Sequence, residues 1–197
     1  MTDEVDRRLT FALERVGQAL RTLLRTAAAA ESLTPVQAQL LLRLRAAPAD
    51  QRAVTPLARW ADITQPTVSD AVAALVRKGL VARRGDPRDG RATRLVPTAA
   101  GRAAARRLDG WDEPVRDALA ASLSPAERAE FAGRLPVLLG ALHRAGVLSV
   151  ARTCPTCQHF RPEAHPGTAE PAHCALLDAP LGPATFRLDC PDHQPAA

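Results

Sequence analysis

The chain has 197 residues, 46% of them apolar, and a formal net charge of +5. That apolar share can fill one or two small cores and, with its ordinary periodicity, excludes collagen-like and wholly disordered chains. No run of about 18 uncharged apolar residues occurs, and Asp3, Glu4 and Asp6 stand where a secretory leader would be basic and then apolar. A membrane span is thereby excluded, and a cytoplasmic location is expected.

A first helix is predicted from about Asp3 to Ala30, because Leu9, Leu13, Val16, Leu20, Leu23 and Leu24 recur at three- and four-residue spacing. A second opens at Thr34-Pro35-Val36-Gln37. There Thr34 caps, Pro35 suits the first turn and Gln37 completes a capping box. Leu40, Leu41 and Leu44 follow, and Pro48 marks a loop. Thr55-Pro56 starts a short helix through Trp60. After a turn at Ile63-Thr64, a further helix covers about Gln65 to Lys78. Val68, Val72, Leu75 and Val76 form its buried side, leaving Thr67, Ser69, Asp70, Ala73 and Arg77 outward, and Gly79 serves as a left-handed cap. Two short helices of this kind make a helix-turn-helix. Trp60 and Trp111 are read as core residues.

Leu80–Arg83 and Thr93–Val96 read as two strands around Gly85-Asp86-Pro87-Arg88-Asp89-Gly90, a strong turn signal that places Arg88 and Arg91 near a hairpin tip. Thr98 caps a long helix to about Ala121, roughened by Gly110 and Pro114. Ser124-Pro125-Ala126-Glu127 is a second capping box and opens a last helix toward Arg144, with Pro136 expected to kink it. The long first helix and the C-terminal helices exceed what a winged helix needs. Their spare apolar faces are expected to bury against a second subunit.

The charge is concentrated. Segment 77–94 holds seven basic residues against Asp86 and Asp89, while the nineteen basic and nineteen acidic residues elsewhere cancel. Beside a helix-turn-helix, such a cluster suits duplex phosphates. Short polar side chains at the start of a groove helix can reach base edges, which selects Gln65, Thr67, Ser69 and Asp70. Arg77, Arg83, Arg84, Arg88, Arg91 and Arg94 are the candidate backbone and minor-groove contacts, and Asp89 is expected to orient Arg91.

After Val150 the composition changes. Residues 151–197 hold all four cysteines, four of the five histidines and eight of the 17 prolines, with almost no helical periodicity. The predicted fold is therefore mainly α. It is an α+β winged helix-turn-helix with a helical dimerisation region at 1–150 (winged helix at about 34–97), followed by a small irregular Cys-rich module at 151–197. Cys154, Cys157, Cys174 and Cys190 read C-x2-C-x16-C-x15-C. Under reducing conditions that pattern points to a metal rather than to disulfides. The second close pair of common structural zinc sites is missing, although His193, two residues beyond Pro191, offers an alternative ligand. An iron–sulfur cluster tolerates scattered thiolates. Both an iron–sulfur cluster and zinc stay open, with free thiols a third reading.

The order of elements resembles the MarR family of dimeric winged-helix regulators. The resemblance is carried by Leu33-Thr34-Pro35-Val36-Gln37, Thr67-Val68-Ser69, Gly79-Leu80-Val81-Ala82-Arg83, Asp86-Pro87-Arg88-Asp89-Gly90-Arg91 and Leu95-Val96-Pro97-Thr98-Ala99-Ala100-Gly101. It covers roughly residues 5–147. It implies a homodimer built from the first and last two helices, with helix 65–78 in the major groove and Arg91 in the minor groove. It also implies a small-molecule inducer, since many relatives bind phenolic or lipophilic ligands. Gly90 departs from the family, which often carries a second arginine there, and so does Pro136. The resulting expectation is a non-enzymatic regulator, a repressor, reading a palindromic operator in double-stranded DNA, with a tail that senses redox state, iron or metal. Two alternatives stand beside it: a purely structural zinc tail with a small-molecule inducer, and a thiol or electron-transfer protein using Cys154 and Cys157.

Overall fold

The computed structural model describes residues 2–86 and 89–196, with the side chains of Thr2, Asp86 and residues 89–92 outside the description. Contacts gather the chain into two units, residues 1–58 with 63–117, and residues 59–62 with 118–197.

In the first unit, α1 (Thr2–Ala30) is followed by α2 (Pro35–Ala46), a 3-10 turn at Ala49–Gln51, the greater part of α3 (Val54–Ala61) and α4 (Gln65–Arg77). Capping chemistry sets the boundaries. The Thr34 hydroxyl oxygen accepts from Gln37 N–H at 3.2 Å, and the Gln37 side chain accepts from Thr34 N–H at 3.3 Å. Thr64, the last residue of the expected turn, caps α4 by accepting from Thr67 N–H at 3.3 Å. Gly79, at φ +68°, ends it: Leu80 N–H reaches Leu75 O and Gly79 N–H reaches Val76 O, both at 2.9 Å. Leu40, Leu41 and Leu44 of α2 pack with Leu57 of α3 and with Val68, Val72 and Leu75 of α4. Each such fully buried side chain contributes about 1.5–3 kcal/mol.

Strands β1 (Val81–Asp86) and β2 (Asp89–Pro97) form an antiparallel hairpin with Val81 opposite Pro97 and Arg84 opposite Arg94. The hairpin is pinned at its base. Thr98 N–H donates to Leu80 O at 3.0 Å and the Thr98 hydroxyl donates to Gly79 O at 2.6 Å, while Thr98 also caps α5 (Ala99–Leu108). A β-carbon on Gly101 would lie 1.9 Å from the Leu80 carbonyl oxygen, so only glycine allows α5 to start against this strand. The single long helix expected over 98–121 is in fact two, α5 and α6 (Glu113–Ser122). Gly110 at φ +95° breaks the run, and Pro114 fits the first turn of the second helix. The first half of α1 leaves Val5, Leu9, Phe11, Leu13 and Val16 exposed.

In the second unit, α7 (Pro125–Arg144) carries the Ser124–Glu127 capping box and runs uninterrupted through Pro136. Phe131, Val137 and Leu138 on α7 are exposed. Strands β3 (Phe160–Arg161), β4 (Ala172–Cys174) and β5 (Ala179–Leu181) make a small antiparallel sheet in that order, where the sequence suggested only irregular chain. This segment packs on α7. A β-carbon on Gly133 would meet Pro183 at 2.4 Å, one on Gly140 would meet Thr156 at 2.9 Å, and the buried Thr153 hydroxyl donates to Pro136 O at 3.3 Å. The division at 150/151 follows composition, whereas the contacts place α7 together with the cysteine-rich segment. Among the described residues, no helix is long and apolar enough to cross a membrane.

Candidate functional site

On α4, Gln65, Thr67, Asp70 and Arg77 are exposed and Ser69 is half-buried, while Val68 and Val72 anchor the opposite face. Thr67 is partly committed: its hydroxyl lies 2.8 Å from that of Thr64, and its N–H donates to the same oxygen at 3.3 Å. On the hairpin, Arg83 and Arg84 are exposed and Arg94 is half-buried. Arg84 and Arg94 stand directly opposite each other, a like-charge pairing that destabilises an isolated hairpin and suits an anionic partner. Arg88 lies outside the described residues. Arg91 is placed by its backbone in β2, and its side chain, with those of Asp86 and Asp89, also lies outside them.

Lys78 behaves differently from the rest of the basic cluster. Its ammonium donates to Ser32 O and, at 3.0 Å, to the Gln37 side-chain oxygen, so it closes the junction of α1 and α2. Nothing in the local sequence signals this contact, because the partners lie 46 and 41 residues away.

All four cysteines line one cavity of about 30 Å³. The 3-10 turn Cys154–Thr156 brings the first two together, with Cys157 N–H donating to Cys154 O at 3.0 Å. Cys174 ends β4, between Phe160 on one side and Ala179 on the other. Cys190 is held by its N–H on Arg152 O at 2.9 Å and by the Arg152 guanidinium, which donates to Cys190 O at 2.7 and 3.0 Å. Arg187 N–H donates to Cys154 Sγ at 3.2 Å, and Cys154 N–H returns a bond to Arg187 O at 3.2 Å. Burial pushes the Cys154 thiol pKa up and the Arg187 amide pulls it down, with Cys190, Cys174 and Cys157 adding to the rise. The rest of the wall is largely apolar, with Phe160, Leu176, Leu177 and Leu181. Among the described residues, no three His, Cys, Asp or Glu side chains are drawn together tightly enough to hold a single ion.

His193 does not line this cavity. It faces a second one with Arg152 and Thr156, and its Nε2 lies 2.9 Å from the Thr156 hydroxyl. Burial, then the neighbouring Arg152 charge, lowers its pKa. His159 and Asp192, neither singled out by spacing, stand on the cysteine cavity instead. Trp111 packs against the core of the first unit, and Trp60 is half-buried.

Residues 31–92 match the MarR family. The fold is that of a MarR winged helix, shared with solved structures. The Staphylococcus aureus MepR–DNA complex is 21% identical with a TM-score of 0.60, covering 68% of this chain and 95% of that one. A further MarR family transcription regulator is 18% identical with a TM-score of 0.63, covering 74% of this chain and 97% of that one. Bordetella bronchiseptica BpsR, whose DNA binding is regulated by 6-hydroxynicotinic acid, is 23% identical with a TM-score of 0.51, covering 70% and 91%. No curated protein matches the chain significantly.

Proposed function

We propose that this chain is a non-enzymatic, homodimeric transcription regulator, a repressor, that reads a palindromic operator in double-stranded DNA. The observation that carries the reading is the exposed polar start of α4, with Gln65 and Thr67, followed in the chain by an arginine-bearing hairpin in a MarR winged helix. In this reading Gln65, Thr67, Ser69 and Asp70 face base edges, while Arg77, Arg83, Arg84, Arg88, Arg91 and Arg94 meet phosphates or the minor groove. The exposed Val5, Leu9, Leu13 and Val16, which share one face of α1, and the exposed Phe131, Val137 and Leu138 of α7 support self-association, since a monomer leaves them in water. The cysteine-rich segment is the signal-receiving part, responding to redox state, iron or metal.

Selection of duplexes from a random pool tests this reading. The expected outcome is an inverted-repeat site bound by two chains. Binding without sequence preference, or by one chain, overturns it. A second reading keeps the same regulator but gives it a structural zinc tail and a small-molecule inducer. The DNA-binding regulation of BpsR by 6-hydroxynicotinic acid favours it as a comparison. Operator release by an aromatic acid in protein with all four thiols changed to serine would support that version.

A further inference from the structure

The cysteine-rich segment has little core of its own. Among its described residues, Ala151, Cys154 and Ala172 are the buried apolar ones, and Thr153 is the buried polar one. A segment of this size with so small a core needs a crosslink or a ligand to hold a fixed shape. Its sheet and turns nonetheless bring four thiols, spread over 37 residues of sequence, to the wall of one cavity. We infer that Cys154, Cys157, Cys174 and Cys190 ligate an iron–sulfur cluster.

Three observations support a cluster. The spacing C-x2-C-x16-C-x15-C lacks the second close pair of common structural zinc sites, whereas a cluster accepts scattered thiolates. Phe160, Leu176, Leu177 and Leu181 give the thiols an apolar wall, a surrounding that tunes a cluster's potential. The Arg187 N–H on Cys154 Sγ at 3.2 Å is a backbone donor aimed at a ligand sulfur, the kind of bond that stabilises added negative charge on a cluster. Ligation itself transfers no electrons: four S–H bonds give way to four S–Fe bonds, and four protons leave to solvent.

The inference deepens the sensor reading above and rests on it only for the consequence at DNA. Full-length protein purified without oxygen is analysed for iron, acid-labile sulfide and zinc, and its visible spectrum is recorded before and after dithionite. Iron and sulfide together, with charge-transfer bands that bleach on reduction and are lost in Cys174→Ser and Cys190→Ser, are the expected result. Stoichiometric zinc without sulfide, iron without sulfide, a metal-free protein, or bands that survive in either variant overturns the inference. The wild-type metal and sulfide content decides the matter even if a variant fails to fold. Operator binding is measured on the same samples. A coloured protein that ignores DNA would sink the regulator reading and leave the cluster, and a colourless one that binds its operator would do the reverse.

Discussion

Lys78 donates to the side-chain oxygen of Gln37 at 3.0 Å, tying the end of α4 to the capping box that opens α2. One glutamine thus serves both the helix start and the cation that closes the α1–α2 junction. Lys78→Ala is expected to lower the melting temperature while leaving the salt dependence of DNA binding unchanged. A slope altered as much as by a hairpin arginine would place Lys78 on phosphate instead.

Arg84→Ala and Arg91→Ala should each reduce the log–log salt slope of operator binding by about one unit. Gln65→Ala should instead cost roughly 1–3 kcal/mol of discrimination at a single base pair. Competition between operator and random duplex over a range of salt separates the two effects. Equal losses on both DNAs for the Gln65 variant would make it a backbone contact.

Gly101→Ala forces a β-carbon into the Leu80 carbonyl, 1.9 Å away on the present backbone. Relief requires α5 to move off the hairpin base, and overpacking of this kind costs about 1–3 kcal/mol. A melt that matches wild type would show that the α5–β1 approach is loose.

Acid should weaken the fold through two carboxylates. The Arg107 guanidinium, donating to Glu31 at 2.6 and 2.7 Å, holds the Glu31 pKa below the ordinary carboxylate value, and the Ser124 hydroxyl and N–H do the same for Glu127. Each folded-state pKa is thus depressed. Their contribution is present above the ordinary carboxylate range and is lost as pH falls through the lowered values. Glu31→Gln should therefore flatten the acid side of a melting-temperature profile. An unchanged acid slope would remove this ion pair from the account.

Gly140→Leu should push the Cys154–Cys157 turn off α7, since even a β-carbon would meet Thr156 at 2.9 Å. Faster amide exchange is expected at Thr156 and Cys157, with the α4 amides unaffected. Unchanged exchange at the turn would mean that the segment does not depend on that helix face.

What the sequence disclosed was mostly local. Thr34 with Gln37 and Ser124 with Glu127 announce their capping boxes within four residues, and Gly79 marks the end of α4 by its own conformational freedom. The break between α5 and α6 is half legible, because Gly110 and Pro114 roughen the helical pattern while Gly110's left-handed backbone leaves no mark in it. The convergence of Cys174 and Cys190 on the first two thiols needs the β3–β4–β5 sheet, whose strands are too short to leave a periodicity. The packing of the tail on α7 needs Gly133 and Gly140, and no local pattern pairs them with Pro183 and Thr156.

That small-residue face of α7 also decides how the tail can be interrogated. Gly133, Pro136 and Gly140 are buried, and the tail's Pro183, Thr153 and Thr156 stand against them. A chain cut after Val150 would strip α7 of its cover and leave it smooth and wet, so any lost function would report a wounded helix as readily as missing sulfur. Exchanging sulfur for oxygen, one atom at a time, keeps the glove on the hand.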